Sequence, residues 1–425
     1  MSGKTDKAGR PIVVITGAGV VTSLGQGKAD NWARLIAGES GIHNITRFAT
    51  DNLKTRISGS VDFLKVDPFS APSLTETLAA TAAEEAVAQS NIGSRGDFPG
   101  PLFLAMPPVE LEWAQRIEIA GKLNQENNGY DALLSVSGAS QFAPYHERFL
   151  FGSVADHLAD RFGTKGSPIS LSTACASGAS AIQLGIEAIR RGETDAALCI
   201  ASDGSINAES LVRFSLLSAL STSNDNPQGA AKPFSKNRDG FVMAEGAGAL
   251  VLESLESAQA RGATILGIME GAGEMADSFH RTRSSPDGKP IVGCIRNALA
   301  DAGLVPDDID YINPHGTGTS ENDKMEAVGV MTVFGERAKQ IPMSSNKSMV
   351  GHTLSAAGAV EAVFSLLTLE HQRIPPTINY NIPDPAIPID VVPNVARDGR
   401  VTHVISNSFG FGGQNVSLVM AREPA

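Results

Sequence analysis

"STACASGAS", residues 172–180, sets one cysteine among Ser, Thr, Ala and Gly, whereas a structural cysteine is usually wedged among large apolar side chains. Downstream, Ala179, Ile182, Ile186 and Ile189 fall at helical spacing, and Gly192 follows Arg190 and Arg191 as a C-cap. The spacing predicts a helix from about Cys175 to Arg191, with Cys175 at its N-terminus. Unpaired backbone N–H groups and the positive end of the helix dipole favour thiolate there, and the same N–H groups can hold an oxyanion. The competing reading is a small buried residue on a core helix.

The stretch has an echo. ASGA at 176–179 returns as AAGA at 356–359, each opening a helix-like segment, and Phe241 followed by GALVLE returns as Phe409 followed by VSLVMA. Two copies of one unit would produce this, although short matches also arise by chance in an Ala/Gly-rich chain. Between the copies, β-branched runs (PIVVITGAG, AALCIASDG) alternate with helical patterns (LTETLAATAAEEAVAQ, GALVLESLESAQARG). The alternation predicts an α/β fold whose strands are buried on both faces, with no low-complexity linker between its parts.

At 425 residues and 42% hydrophobic the chain can bury a large core. A net charge of −12 argues against a general nucleic-acid or anionic-membrane binder. Cys175, Cys199 and Cys294 are an odd set without a disulfide framework, which suits a reducing, cytoplasmic setting. MSGKTDKAGR lacks an apolar signal core and is expected to be a frayed tail, and no apolar run reaches the roughly 18 residues that a membrane span needs.

Possible partners for Cys175 lie far downstream. INPHGTGTSENDKMEA places His315 after a short apolar run and before a Gly/Thr loop, at a strand end where α/β sheets bind ligands. MSSNKSMVGHTLSAAGAVEAV places Lys347 and His352 ahead of a small-residue helix that contains Glu361. His43, His146, His157, His280, His371 and His403 have no comparable setting and receive no role.

These residues carry a family resemblance. TACASGA around Cys175, PFSKNRDGFVMAEGAG at 233–248, NPHGTGTSENDKMEA at 313–327, SNKSMVGHTLSAAGAVE at 345–361 and NSFGFGGQN at 407–415 stand in one order. Together they resemble the β-ketoacyl-[acyl-carrier-protein] synthases of the elongating Cys-His-His type, from about residue 12 to the end of the chain. The resemblance implies a thiolase-like duplicated fold of five layers, α/β/α/β/α, with halves 1–262 and 263–425, usually as a homodimer. It implies decarboxylative condensation of a malonyl carrier thioester with an acyl group held on Cys175, with no cofactor and no metal. On it, the backbone N–H groups of Cys175 and Phe409 form the oxyanion hole and Phe409 gates the pocket. His315 and His352 hold the malonyl thioester oxygen as the enolate forms, and Lys347 and Glu361 pair to orient them. Thr317, Thr319 and Phe411 bind the pantetheine-linked substrate. The implied partner is an acyl carrier protein.

There are departures. AMPPVELEW at 105–113 stands where relatives carry a glycine-rich stretch bordering the acyl tunnel and dimer contact, and Pro107 and Pro108 cannot adopt a glycine loop's dihedrals. SAPSLTETL at 70–78 stands where relatives carry a basic carrier-docking cluster, a charge that Lys54, Arg56 or Lys65 could supply instead. Gln414 and Ser320 replace a usual threonine and proline. The alternative reading is a specialised condensing enzyme for an unusual acyl chain with a dedicated carrier, or a partner subunit of a paralogous synthase.

Other classes explain less. A Cys-His hydrolase gives no reason for a second histidine beside Lys347 and Glu361. A degradative thiolase needs a second cysteine near FGFGG, and Cys199 and Cys294 lie far upstream. A nicotinamide dehydrogenase fits VVITGAGVVTSLG poorly, because its third fingerprint position is Thr22.

Overall fold

The computed structural model describes residues 4–94, 96–123 and 129–422. Nine of the ten strands of the main sheet lie on one path: β1 Val13–Thr22, β2 Leu102–Ala105, β3 Ile169–Leu171, β4 Ala196–Asp203, β5 Gly246–Ser254, β6 Gly267–Ala276, β7 Tyr311–Asn313, β8 His403–Phe409 and β9 Gln414–Ala421. They lie in the order β3-β2-β4-β5-β1-β6-β9-β8-β7.

The order is one pattern written twice. On one side β1 is antiparallel to β5, β5 antiparallel to β4, and β4 parallel to β2, which is parallel to β3. On the other, β6 is antiparallel to β9, β9 antiparallel to β8, and β8 parallel to β7, with Met343 bridging to Ile312 where β3 would recur. Within the sheet, among the described residues, the halves pair through Val13–Ile15 of β1 against Gly267–Met269 of β6.

Helices make the remaining layers. Helix α1, Ala71–Ser90, covers the outer face of β1, β5 and β4. Helices α2, Ser177–Arg190, and α3, Ala208–Leu216, follow in sequence. Helices α4, Lys289–Ala302, and α5, Ser320–Phe334, cover the other half, with α4 on β6 and β9. After a four-residue helix, α6 (Lys347–Val350), comes α7, Ala357–His371. Helices α2 and α7 pack against each other between the two half-sheets, giving a five-layered α/β/α/β/α structure.

Strand patterning explains the layers. In β4, Ala197, Cys199 and Ala201 enter the central core with α2 and α7, while Ala196, Leu198 and Ile200 enter the outer core with α1. Successive side chains point to opposite faces, so a strand covered on both sides must be apolar throughout. VVITGAG is such a strand: a Cβ on Gly17 or Gly19 would lie 2.0 Å from the carbonyl oxygen of Ala86 or Ala82 in α1. The glycines admit a helix to close range.

Residues 4–10 correct the expected frayed tail, because Arg10 pairs with Asp6 at 2.8 Å and with Asp301 at 2.6 Å. Among the described residues no helix is long and apolar enough to cross a membrane.

Candidate active site

Between β3 and α2 the chain turns sharply through Ala174, whose φ of 49° is left-handed. Ser177 closes the turn, accepting from the Thr173 N–H at 2.8 Å and donating to the Ala174 carbonyl at 2.5 Å. The helix therefore starts at Ser177, two residues later than its spacing predicts, and Cys175 sits on the turn ahead of it. Burial pushes the Cys175 thiol up to about 11, against the opposing pull of the Lys347 charge and a hydrogen bond from the Phe411 backbone N–H. This corrects the expected thiolate: the resting group is a thiol, because desolvation penalises the charged form more than its neighbours favour it.

His315 follows β7. The Glu326 carboxylate accepts its backbone N–H and that of Gly316, both at 2.8 Å, and its carbonyl accepts from Lys347 Nζ at 2.6 Å. His352 lies between α6 and α7, tied by its N–H to the Val242 carbonyl at 2.7 Å. Its Nδ1 accepts from the Leu354 N–H at 3.3 Å, which leaves the neutral ring's proton on Nε2. The two rings meet edge-on at 5.2 Å. Burial and the Lys347 charge hold both histidines well below the usual range, so both are neutral at pH 7.

Lys347 and Glu361 form a buried ion pair that joins α6 to α7. Burial raises the Glu361 carboxyl to about 7 even though Lys347 pulls it the other way.

Cys175 Sγ and one ring nitrogen from each of His315 and His352 lie within 4.8 Å of one another. Three such ligands could hold a metal on geometry alone. The buried Lys347 charge that depresses the histidines also opposes a cation at this point.

Two cavities meet at the thiol. The first, about 380 Å³, is bordered by His315, His352, Thr317, Thr319 and Phe409. The Thr317 and Thr319 hydroxyls lie 2.9 Å apart, and Thr319 also caps α5 by accepting from the Asn322 N–H at 3.3 Å. The second, about 480 Å³, runs along Ala71, Thr75, Pro107, Pro108 and Phe214. Cys175, Leu217 and Phe411 border both.

The Phe409 assignment needs correction. Phe409 stays in β8 in register with Asn415, its ring 5.9 Å from His315. The chain turns at Gly410, whose N–H reaches the Gln414 carbonyl at 2.7 Å, and it is the Phe411 N–H that pulls on the Cys175 thiol. In the 70–78 stretch, Ser70, Ala71, Pro72, Leu74, Thr75 and Leu78 are buried in and around the start of α1, and Ala71 and Thr75 face the second cavity. Ser73, Glu76 and Thr77 are half-buried, and Lys54, Arg56 and Lys65 are exposed.

Sequence reasoning gave no role to Glu326, although it stands inside a quoted motif, or to His280, which borders the first cavity. It also missed Asp203, a buried carboxyl raised by burial to about 6 that accepts the Ser355 N–H at 3.1 Å.

The five-layered fold and the cysteine set against two neutral histidines define a thiolase-fold ketosynthase, a condensing enzyme of the acyltransferase class. The family description "Beta-ketoacyl synthase, N-terminal domain" matches residues 10–92 and 119–258, and "Beta-ketoacyl synthase, C-terminal domain" matches 266–381. The chain belongs to the β-ketoacyl synthase family. It is 37% identical to 3-oxoacyl-[acyl-carrier-protein] synthase 2 of Coxiella burnetii, covering 96% of this chain and 98% of the relative. It is 36% identical to the tetracenomycin polyketide synthase ketoacyl synthase alpha subunit of Streptomyces glaucescens, covering 96% and 97%. Among solved structures it is similar, with a TM-score of 0.87 and 33% identity over 98% of this chain and 100% of the other, to a chain from a type II polyketide synthase acyl-carrier protein in complex with its ketosynthase bound to the hexaketide.

Proposed function

We propose that the protein elongates acyl chains on an acyl carrier protein by decarboxylative condensation, with Cys175 as acyl acceptor and His315 and His352 as the enolate-stabilising pair. The observation that carries this reading is the cluster of thiol and two neutral imidazoles within 4.8 Å at the junction of two cavities. In the first half-reaction the sulfur attacks the carrier thioester: a new C–S bond forms, the carrier's breaks, and the thiol proton leaves with the carrier. The N–H groups of Cys175 and Phe411 are placed to hold the oxyanion, and Phe411 separates the cavities as a gate, with Gly412 and Gly413 at φ 92° behind it.

In the second half-reaction malonyl thioester occupies the first cavity, its arm beside Thr317 and Thr319. Loss of carbon dioxide leaves the bonding pair as an enolate whose oxygen accepts from the imidazoles. Neutral donors suit this step because the charge appears only as the bond breaks. The enolate carbon attacks the acyl carbon, the C–S bond breaks, and the released thiolate takes a proton from water to restore the Cys175 thiol. Lys347 positions His315 through its carbonyl, and Glu361 balances the Lys347 charge.

The named relatives include a fatty-acid-type synthase and a polyketide-type subunit. Pro107 and Pro108 along the second cavity favour a specialised acyl chain within this chemistry. The reading includes a boundary at 262/263, supported by the doubled strand pattern on either side, and a cytoplasmic location. It also includes a homodimer, or a heterodimer with a paralogue, supported by the exposed Trp113, Ile117, Tyr130 and Leu134. Incubation with acyl and malonyl carriers tests the function. A 3-oxoacyl carrier two carbons longer, with one carbon dioxide released, is expected, and no condensation with any acyl length refutes it.

A further inference from the structure

The second cavity is mainly apolar, but its wall carries two carboxylates close together. Beside Pro107, Phe214 and Leu217 it is bordered by Glu112, a partly buried carboxylate, and Glu209, which is 9% exposed. Each spends one oxygen on the scaffold: Glu112 Oε1 accepts from the Ala71 N–H at 2.6 Å and Asn207 Nδ2 at 3.5 Å, and Glu209 Oε1 accepts from the Trp113 N–H. Among the described residues, no hydrogen bond reaches Oε2 of either residue and no ion pair engages either one. The nearby cations are already committed, since Arg116 pairs with Glu110 at 2.7 Å and Arg213 pairs with the same carboxylate. Burial, helped by the neighbouring Glu209 charge, pushes the Glu112 carboxyl above its usual range against the pull of the Ala71 N–H.

We infer that this cavity is built for an acyl chain bearing hydroxyl groups, with Glu112 and Glu209 as the specificity-determining acceptors. The inference rests on Cys175 being the acyl acceptor and names the substrate class for that site. A plain alkyl chain would displace water from two carboxylate oxygens and give nothing back, which costs more than the apolar contact returns at that point. A hydroxyl donates to them. Sites built to hydrogen-bond a substrate hydroxyl discriminate strongly against the analogue that lacks it, whereas an apolar pocket does not.

The experiment follows Cys175 acylation by intact-protein mass spectrometry, using pantetheine thioesters of equal length that are plain alkyl or carry one hydroxyl at successive positions, with acetyl-pantetheine beside them. The wild type is expected to take at least one hydroxylated chain about tenfold faster than its alkyl counterpart. Glu112→Gln and Glu209→Gln keep an oxygen for the Ala71 and Trp113 N–H groups but present an NH₂ to the cavity. Each is expected to bring the ratio to within about twofold. Equal or faster alkyl acylation in the wild type overturns the inference, as does a preference that survives both variants. The wild-type ladder decides the question without the variants, whose folding is checked by melting temperature. If acetyl-pantetheine also fails to acylate Cys175, the condensing-enzyme reading itself falls. If it succeeds without a hydroxyl preference elsewhere, only this inference does.

Discussion

A Cβ placed on Gly178 would lie 2.6 Å from the backbone nitrogen of Ala359, and one on Gly358 would lie 2.5 Å from that of Ala179. The echo between ASGA and AAGA is this reciprocal contact: each central helix lays its first turn on the other, and only glycine admits the approach. Gly178→Ala and Gly358→Ala are therefore expected to destabilise by about 2–3 kcal/mol each. Together they should cost other than the sum, because they share one interface. Urea midpoints of the two single variants and the double variant measure it. A neutral Gly178→Ala would mean that the helices do not pack this way.

Lys347→Ala leaves Glu361 buried without its counter-charge, an expected loss of about 3–5 kcal/mol. Replacing both, Lys347→Met with Glu361→Leu, is expected to recover much of that stability and little of the decarboxylation rate, because the His315 carbonyl still lacks its donor. Stability and carbon dioxide release measured on the same preparations separate positioning from scaffolding. Recovery of both would show that the pair is only structural.

Histidines held neutral in the fold bind protons more weakly there than in the unfolded chain. A depressed pKa contributes stability in full above the unfolded value near 6.5, and that contribution is lost as pH falls below it. With two such groups the wild type is expected to lose up to about 2.7 kcal/mol per pH unit more below pH 6 than His315→Gln/His352→Gln. Denaturant titrations from pH 7.5 to 5 read the difference, and parallel curves would place the imidazoles in water.

For Cys175, a pKa raised to about 11 makes the thiolate about one part in 10⁴ at pH 7. Iodoacetamide alkylation of the resting protein is expected to climb about tenfold per pH unit from 7 to 10 without a plateau. Cys199 and Cys294, both fully buried in core layers, should stay unmodified while the protein is folded. A plateau near neutral pH would show an activated thiolate.

Local pattern carried the fold far. Period-2 burial in β4, the small-residue helix starts and the doubled ASGA/AAGA are all written within ten-residue windows, and the Cys175, His315 and His352 motifs are equally compact. What depended on distant residues was hidden. The thiol's protonation state follows from burial, set against the Lys347 charge and the Phe411 N–H, none of which a window around Cys175 contains. The helix start moved from Cys175 to Ser177 because of a left-handed Ala174 that its own letters do not signal. Glu112 and Glu209 meet because Asn207, the cap of α3, donates to Glu112 while Glu209 in the first turn accepts the Trp113 N–H.

The division of labour is tested most directly by measuring Cys175 acylation and malonyl decarboxylation separately in His315→Ala and His352→Ala. Intact-protein mass follows the first and released carbon dioxide the second. With both imidazoles neutral, each variant is expected to lose decarboxylation by about 10²-fold or more, with acylation at least tenfold less affected. Loss of acylation with decarboxylation kept would contradict the assignment.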